Sequence, residues 1–220
     1  MSAAKTVHNI LPTGGMATVR QLKVLDAVAE LGGHDRRSTP VKEIGTKVGL
    51  SPSTVSSSQG FLRQAGLLET HKGALSVTET GFQLTRLRAE DSARARLFLR
   101  DHWRSAWFTK AATRFLRQKP LPRTKLAEEL GRGLPAASPE RGLYLVDWLD
   151  YALLVDVTED GLVHLPRPTP TPIPTPGAPA SGLPLASVEE VLALPDDTFV
   201  AVMRAYGTLL TSLRGPATHA

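Results

Sequence analysis

GLSPSTVSSSQGFLRQAGLLET, residues 49–70, holds a helix stop, a helix start and a second stop. Gly49 closes one helix, Ser51-Pro52 reads as an N-cap followed by proline at the first helical position, and Gly66 ends the helix that runs to about Gln64. Val55 and Leu62 mark its inward side. At about 100° per residue, Ser53, Thr54, Ser57, Phe61 and Gln64 then fall on the outer arc.

Working outward, Thr18 and Gln21 read as a capping box opening a helix with Val19, Leu22, Leu25, Val28 and Ala29 at three- and four-residue steps, stopped by Gly32-Gly33. Thr39-Pro40 reads as the start of a short helix whose Ile44 and Val48 face inward. Downstream, Leu67–His71 and Leu75–Thr78 read as strands around a Lys72-Gly73 turn. Helix, helix, tight turn, helix and hairpin is the winged helix-turn-helix order. The words GLSPSTVSSSQGFLRQAGLLET and LSVTETG resemble the second half of such domains in bacterial regulators of the multiple-antibiotic-resistance repressor type. The resemblance rests on Gly49, Ser51 to Val55, Leu62, Gly66-Leu67-Leu68 and Thr78-Glu79-Thr80-Gly81, and covers about residues 17–90. Ser57 stands where the family usually has an arginine, and Ser58 and Gln59 stand at its usual apolar positions.

The same syllables recur: a long helix from Ala93 to about Arg117, a Thr124-capped helix ending at Gly131, a helix from about Ser138 to Leu149, and a hairpin at Asp160-Gly161. The expected fold is therefore mainly α with small β-hairpin wings, a tandem winged helix-turn-helix. Its expected parts are a flexible N-terminus (1–16), a first domain (17–91), a second (92–165), a linker (166–185) and a C-terminal helical segment (186–214). From Pro166 to Pro176 every second residue is proline, which forces an extended spacer. Beyond it, Phe199, Met203, Tyr206, Leu210 and Leu213 form one apolar stripe suited to docking on a partner.

The composition of 220 residues, 41% hydrophobic and 21% charged, supports a globular core. No apolar run exceeds five residues, as in Tyr151–Val155, whereas a membrane span needs roughly 20. With Cys 0 and no signal-like apolar core at the N-terminus, the expectation is a soluble cytoplasmic, nucleoid-associated protein with no membrane contact. The net charge of +5 fits an anionic partner. It is unevenly spread: Ala93–Lys125 carries 10 basic residues against Asp101 alone, and Leu126–Pro166 carries 2 basic and 8 acidic.

Catalysis has little support. The six histidines are never closer than 26 residues, no phosphate loop or dinucleotide fingerprint occurs, and no catalytic residue, metal or cofactor is expected. Duplex DNA is the expected partner, met in the major groove by Ser51, Ser53, Thr54, Ser57 and Gln64, with Phe61 against a thymine methyl and His71 and Lys72 of the wing near phosphate. A lysine-glycine pair is more often a plain solvated turn. On one continuous helix Arg96, Arg100, Arg104, Lys110 and Arg114 share an arc with Trp103 and Trp107, which reads either as a buried interface flanked by phosphate-binding cations or as a stacking surface for bases. Glu140, Arg141, Asp147 and Asp150 make the second domain's third helix unsuited to a groove. The second domain is expected to hold a homodimer or dock a protein. The leading expectation is a bacterial transcriptional regulator; a structural adaptor resembling segregation and condensation protein B, or a plasmid-type replication initiator, shares the architecture.

Overall fold

The computed structural model describes residues 9–166, and the proline spacer beyond Pro166 and the stripe Phe199–Leu213 lie outside them. The described chain is mainly helical with two small antiparallel sheets, an α+β arrangement. Its first part runs α1 (Thr18–Gly32), β1 (Thr39–Pro40), α2 (Val41–Val48), α3 (Pro52–Gln64), β2 (Leu68–His71) and β3 (Ala74–Val77), followed by α4 (Glu79–Glu90) and α5 (Ser92–Trp103). Then the opening order returns as α6 (Trp107–Leu116), β4 (Leu121–Pro122), α7 (Arg123–Gly131), α8 (Pro139–Tyr151), β5 (Asp156–Val157) and β6 (Leu162–His164). We call these two runs the first and second modules.

The repetition extends to individual hydrogen bonds. Each sheet places its last strand centrally, in the orders β1-β3-β2 and β4-β6-β5. Pro40 and Pro122 sit on edge strands, where the missing N–H costs no ladder bond. The Val41 and Arg123 amides donate to the turn carbonyls of Gly73 and Gly161, at 3.1 and 2.9 Å. Leu67 and Leu154 donate to the Leu62 and Leu149 carbonyls at 2.9 Å in both modules. The turn after α3 uses Gly66 at φ 76°, whereas the turn after α8 puts Leu153 at φ 54°, a conformation unfavourable for a side chain.

Several local expectations are corrected by long-range partners. Thr18 and Gln21 form no capping box: the N-cap of α1 is Ala17, without a side-chain bond. Thr18 Oγ1 donates instead to the Tyr144 carbonyl, and buried Gln21 donates to the Met16 carbonyl. Val19 is 65% exposed, not part of the inward stripe. Thr39-Pro40 pairs as a strand with β3, and Pro40, not Thr39, is the N-cap of α2, without a side-chain bond. Thr124 is not a cap, since Pro122 precedes α7. The long helix expected over residues 93–117 is broken between Trp103 and Trp107, where Thr109 Oγ1 donates to the Trp103 carbonyl at 2.7 Å.

One hydrophobic cluster joins both modules. At its centre Phe61 of α3, Trp103 of α5, Phe108 of α6 and Trp148 of α8 lie with ring centroids 5.1–6.3 Å apart, within the favourable range for aromatic pairs. The first helix of each module also bonds the third helix of the other. Trp148 Nε1 donates to Gln21 at 3.2 Å, and Trp107 Nε1 donates to Gln64 at 3.1 Å. Such reciprocity is that of a two-fold pair, here within one chain. Helix α5 ties the C-terminal ends of both third helices: Trp103 Nε1 donates to the Ala65 carbonyl, and Arg96 to those of Asp150 and Tyr151.

Residues 9–16, expected to be part of a flexible terminus, pack across this seam. Leu11, Pro12 and Met16 are buried, and Arg141 donates to the Leu11 and Pro12 carbonyls at 2.9 and 2.6 Å.

Candidate nucleic-acid interface

Helix α3 is entered by a sharp turn at Gly49, whose φ of 68° suits glycine. Ser51 Oγ accepts the Thr54 amide at 3.2 Å and bonds the hydroxyls of Ser53 and Thr54 at 2.9 and 2.7 Å. This hydroxyl cluster is a proper N-cap with Pro52 behind it. Ser53 and Ser57 are exposed, and Ser57 Oγ donates to the Thr54 carbonyl while keeping acceptor capacity outward. Helix α3 contains no acidic residue.

Two residues assigned to the outer arc are not free there. Phe61 is 1% exposed in the aromatic seam. Gln64 is half-buried, its Oε1 accepting from Ile10 N at 2.7 Å and from Trp107 Nε1. The buried arc is Val55, Ser58, Phe61 and Leu62, about an eighth of a turn away from one centred on Val55 and Leu62 alone. Ser58 fills an apolar position by donating to the Val55 carbonyl. The same rotation brings out Arg63, which sequence reasoning passed over; it is exposed, 3.5 Å from the Thr70 hydroxyl. Reading the aromatic Phe61 as inward would have found it.

On the hairpin, Lys72 is exposed at the tip, while His71 Nε2 is 2.9 Å from Ser76 Oγ. Arg20 and Lys23 of α1 are exposed beside a depression of about 290 Å³ that also includes Gly49 and Leu50 of the turn into α3. Arg20, Lys23, Arg63 and Lys72 have no carboxylate within 4.0 Å among the described residues.

The expected basic and tryptophan stripe is dismantled by the break after Trp103. Trp103 is 2% exposed and Trp107 half-buried, so neither offers a stacking surface. Arg96 is consumed by carbonyls of α8, while Arg100 and Arg104 pair with Asp101. Lys110 and Arg114 remain exposed, the latter over the Phe115 ring at 4.9 Å.

The second module presents other chemistry. Asp147 pairs with Arg123, and Tyr144 donates to Glu140 at 2.8 Å. Asp150 is half-buried, and burial pushes its carboxyl above the ordinary range, opposed by the Val157 amide and Arg96. No three His, Asp or Glu side chains among the described residues cluster to hold a metal. No helix of the described residues is long and apolar enough to cross a membrane.

No family model, curated protein or solved structure matches this chain.

Proposed function

We propose that the chain is a tandem winged helix-turn-helix protein of the transcription-regulator class, and that its first module binds duplex DNA. The observation that carries this reading is the acid-free outer face of α3, with Ser53, Ser57 and Arg63 exposed, flanked by Lys72, Arg20 and Lys23 without carboxylate partners. Serines and arginine at a groove supply hydrogen bonds to base edges and phosphate, and the flanking cations supply the salt-dependent part of affinity. The second module acts as a scaffold, because its third helix carries Glu140, Asp147 and Asp150 toward any phosphate backbone. Pairing of modules within one chain makes the homodimer expected from sequence unnecessary for a paired architecture.

Fluorescence anisotropy with a duplex of about 30 base pairs tests this. Four cations at phosphates imply an affinity drop of about 100-fold between roughly 50 and 200 mM salt, and Arg63→Glu with Lys72→Glu lowers both the affinity and the salt slope. Absence of duplex binding at the lowest salt, by wild type and also by Ile10→Gly, overturns the reading. A structural adaptor is the second reading, favoured by the engagement of Phe61 and Gln64 in the intrachain seam.

A further inference from the structure

Ser53, Ser57, Gly60 and Gln64, at steps of four, three and four, form the ridge of α3 that points away from its buried arc. The N-terminal half of that ridge is bare. Over its C-terminal half lies Ile10, beside Trp107 at Gln64: the Ile10 amide donates to Gln64 Oε1, and the Ile10 Cγ2 would stand 3.6 Å from a Cβ on Gly60. The segment is unequally fastened. From Leu11 onward it is held by burial of Leu11, Pro12 and Met16 and by the Arg141 guanidinium. Ile10 itself is half-buried, with one hydrogen bond and an apolar contact on α3. Opening at Ile10 alone leaves that anchor intact and is a local event far cheaper than unfolding.

We propose that Ile10 is a plug on the DNA-reading face: it competes with duplex for the ridge of α3, so that full groove entry requires it to lift about the Leu11–Pro12 anchor. The proposal rests on the DNA-binding reading above and adds a built-in control of that same face. Coupling is reciprocal, so bound duplex favours the lifted segment and a held segment weakens duplex.

The chain has Cys 0, which permits a clean lock. Ile10→Cys with Gly60→Cys brings the two side chains into contact, and closure of the disulfide is checked by loss of free thiol before binding is measured. In full-length protein the oxidised pair is expected to bind a duplex of about 30 base pairs at least about tenfold more weakly than the same protein after reduction, and Ile10→Gly is expected to bind several-fold more tightly than wild type. Equal affinity of the oxidised and reduced forms, or no gain in Ile10→Gly, overturns the plug while leaving salt-steep wild-type binding to stand for the DNA reading. Binding by Ile10→Gly where wild type shows none supports both. No duplex binding by wild type, the reduced pair or Ile10→Gly overturns both.

Discussion

Helix α3 begins at Ser51-Pro52 and α8 at Ser138-Pro139; each is 13 residues long, each cap serine accepts the amide three residues on, and each sends one aromatic, Phe61 or Trp148, into the shared seam. Outward they diverge. Helix α3 shows serines and Arg63, whereas α8 shows carboxylates, with Asp147 taken up by Arg123 and Asp150 beside Arg96. Caps, turns and core positions were enough to keep the same scaffold twice, while the outward residues give each copy a different surface chemistry.

The seam that makes the two modules one unit is the largest lever on this comparison. Trp148→Ala removes a fully buried indole and its bond to Gln21, and is expected to cost about 3–5 kcal/mol by urea unfolding followed by circular dichroism. A loss below about 1 kcal/mol would mean that the modules stand independently.

Glycines in the two third helices sharpen the contrast with opposite signs. A Cβ on Gly142 would lie 2.5 Å from the Ala127 carbonyl oxygen, so Gly142→Ala forces α7 and α8 apart at about 1–3 kcal/mol. Gly60→Ala makes only ordinary contact with Ile10 and removes a helix-interior glycine, a gain of up to about 1 kcal/mol. Melting temperatures moving in the same direction would break the assignment.

The smallest effect is electrostatic. Burial raises the Asp150 carboxyl, so the native state holds a proton more readily than the unfolded chain, and this residue opposes folding at neutral pH. Asp150→Asn is expected to gain less than about 1 kcal/mol at pH 7, with wild type closing the gap as pH falls through the native value toward 3.8. A gap that widens on acidification would contradict the burial argument.

The parts of the fold legible in sequence are those fixed by near neighbours. Ser51 with Pro52, Gly49, Gly66 and the Lys72-Gly73 turn act within a few residues, and the structure has them where local chemistry puts them. The same holds for the repeat of element order. The candidate site was half legible: Ser53, Ser57 and Lys72 are exposed as read, whereas Phe61 turns inward, Gln64 is covered by Ile10 and Trp107, and Arg63 turns outward. Periodicity counts apolar positions on one helix and has no access to a second surface, here the Trp148 and Trp107 rings that cover α3 from the other module.

What the sequence determined by itself, then, is the succession of caps, turns and apolar steps, and the charge contrast between the two third helices, because each depends on residue type and short-range spacing. Tertiary structure alone decided that Thr18 and Gln21 serve α8 instead of their own helix, with Trp148 and Gln21 127 residues apart. It also decided that the helix breaks after Trp103 and that Ile10 lies on α3. The physical reason is shared: a polar group takes the partner that satisfies it when buried, and at these positions the partner lies outside its own helix.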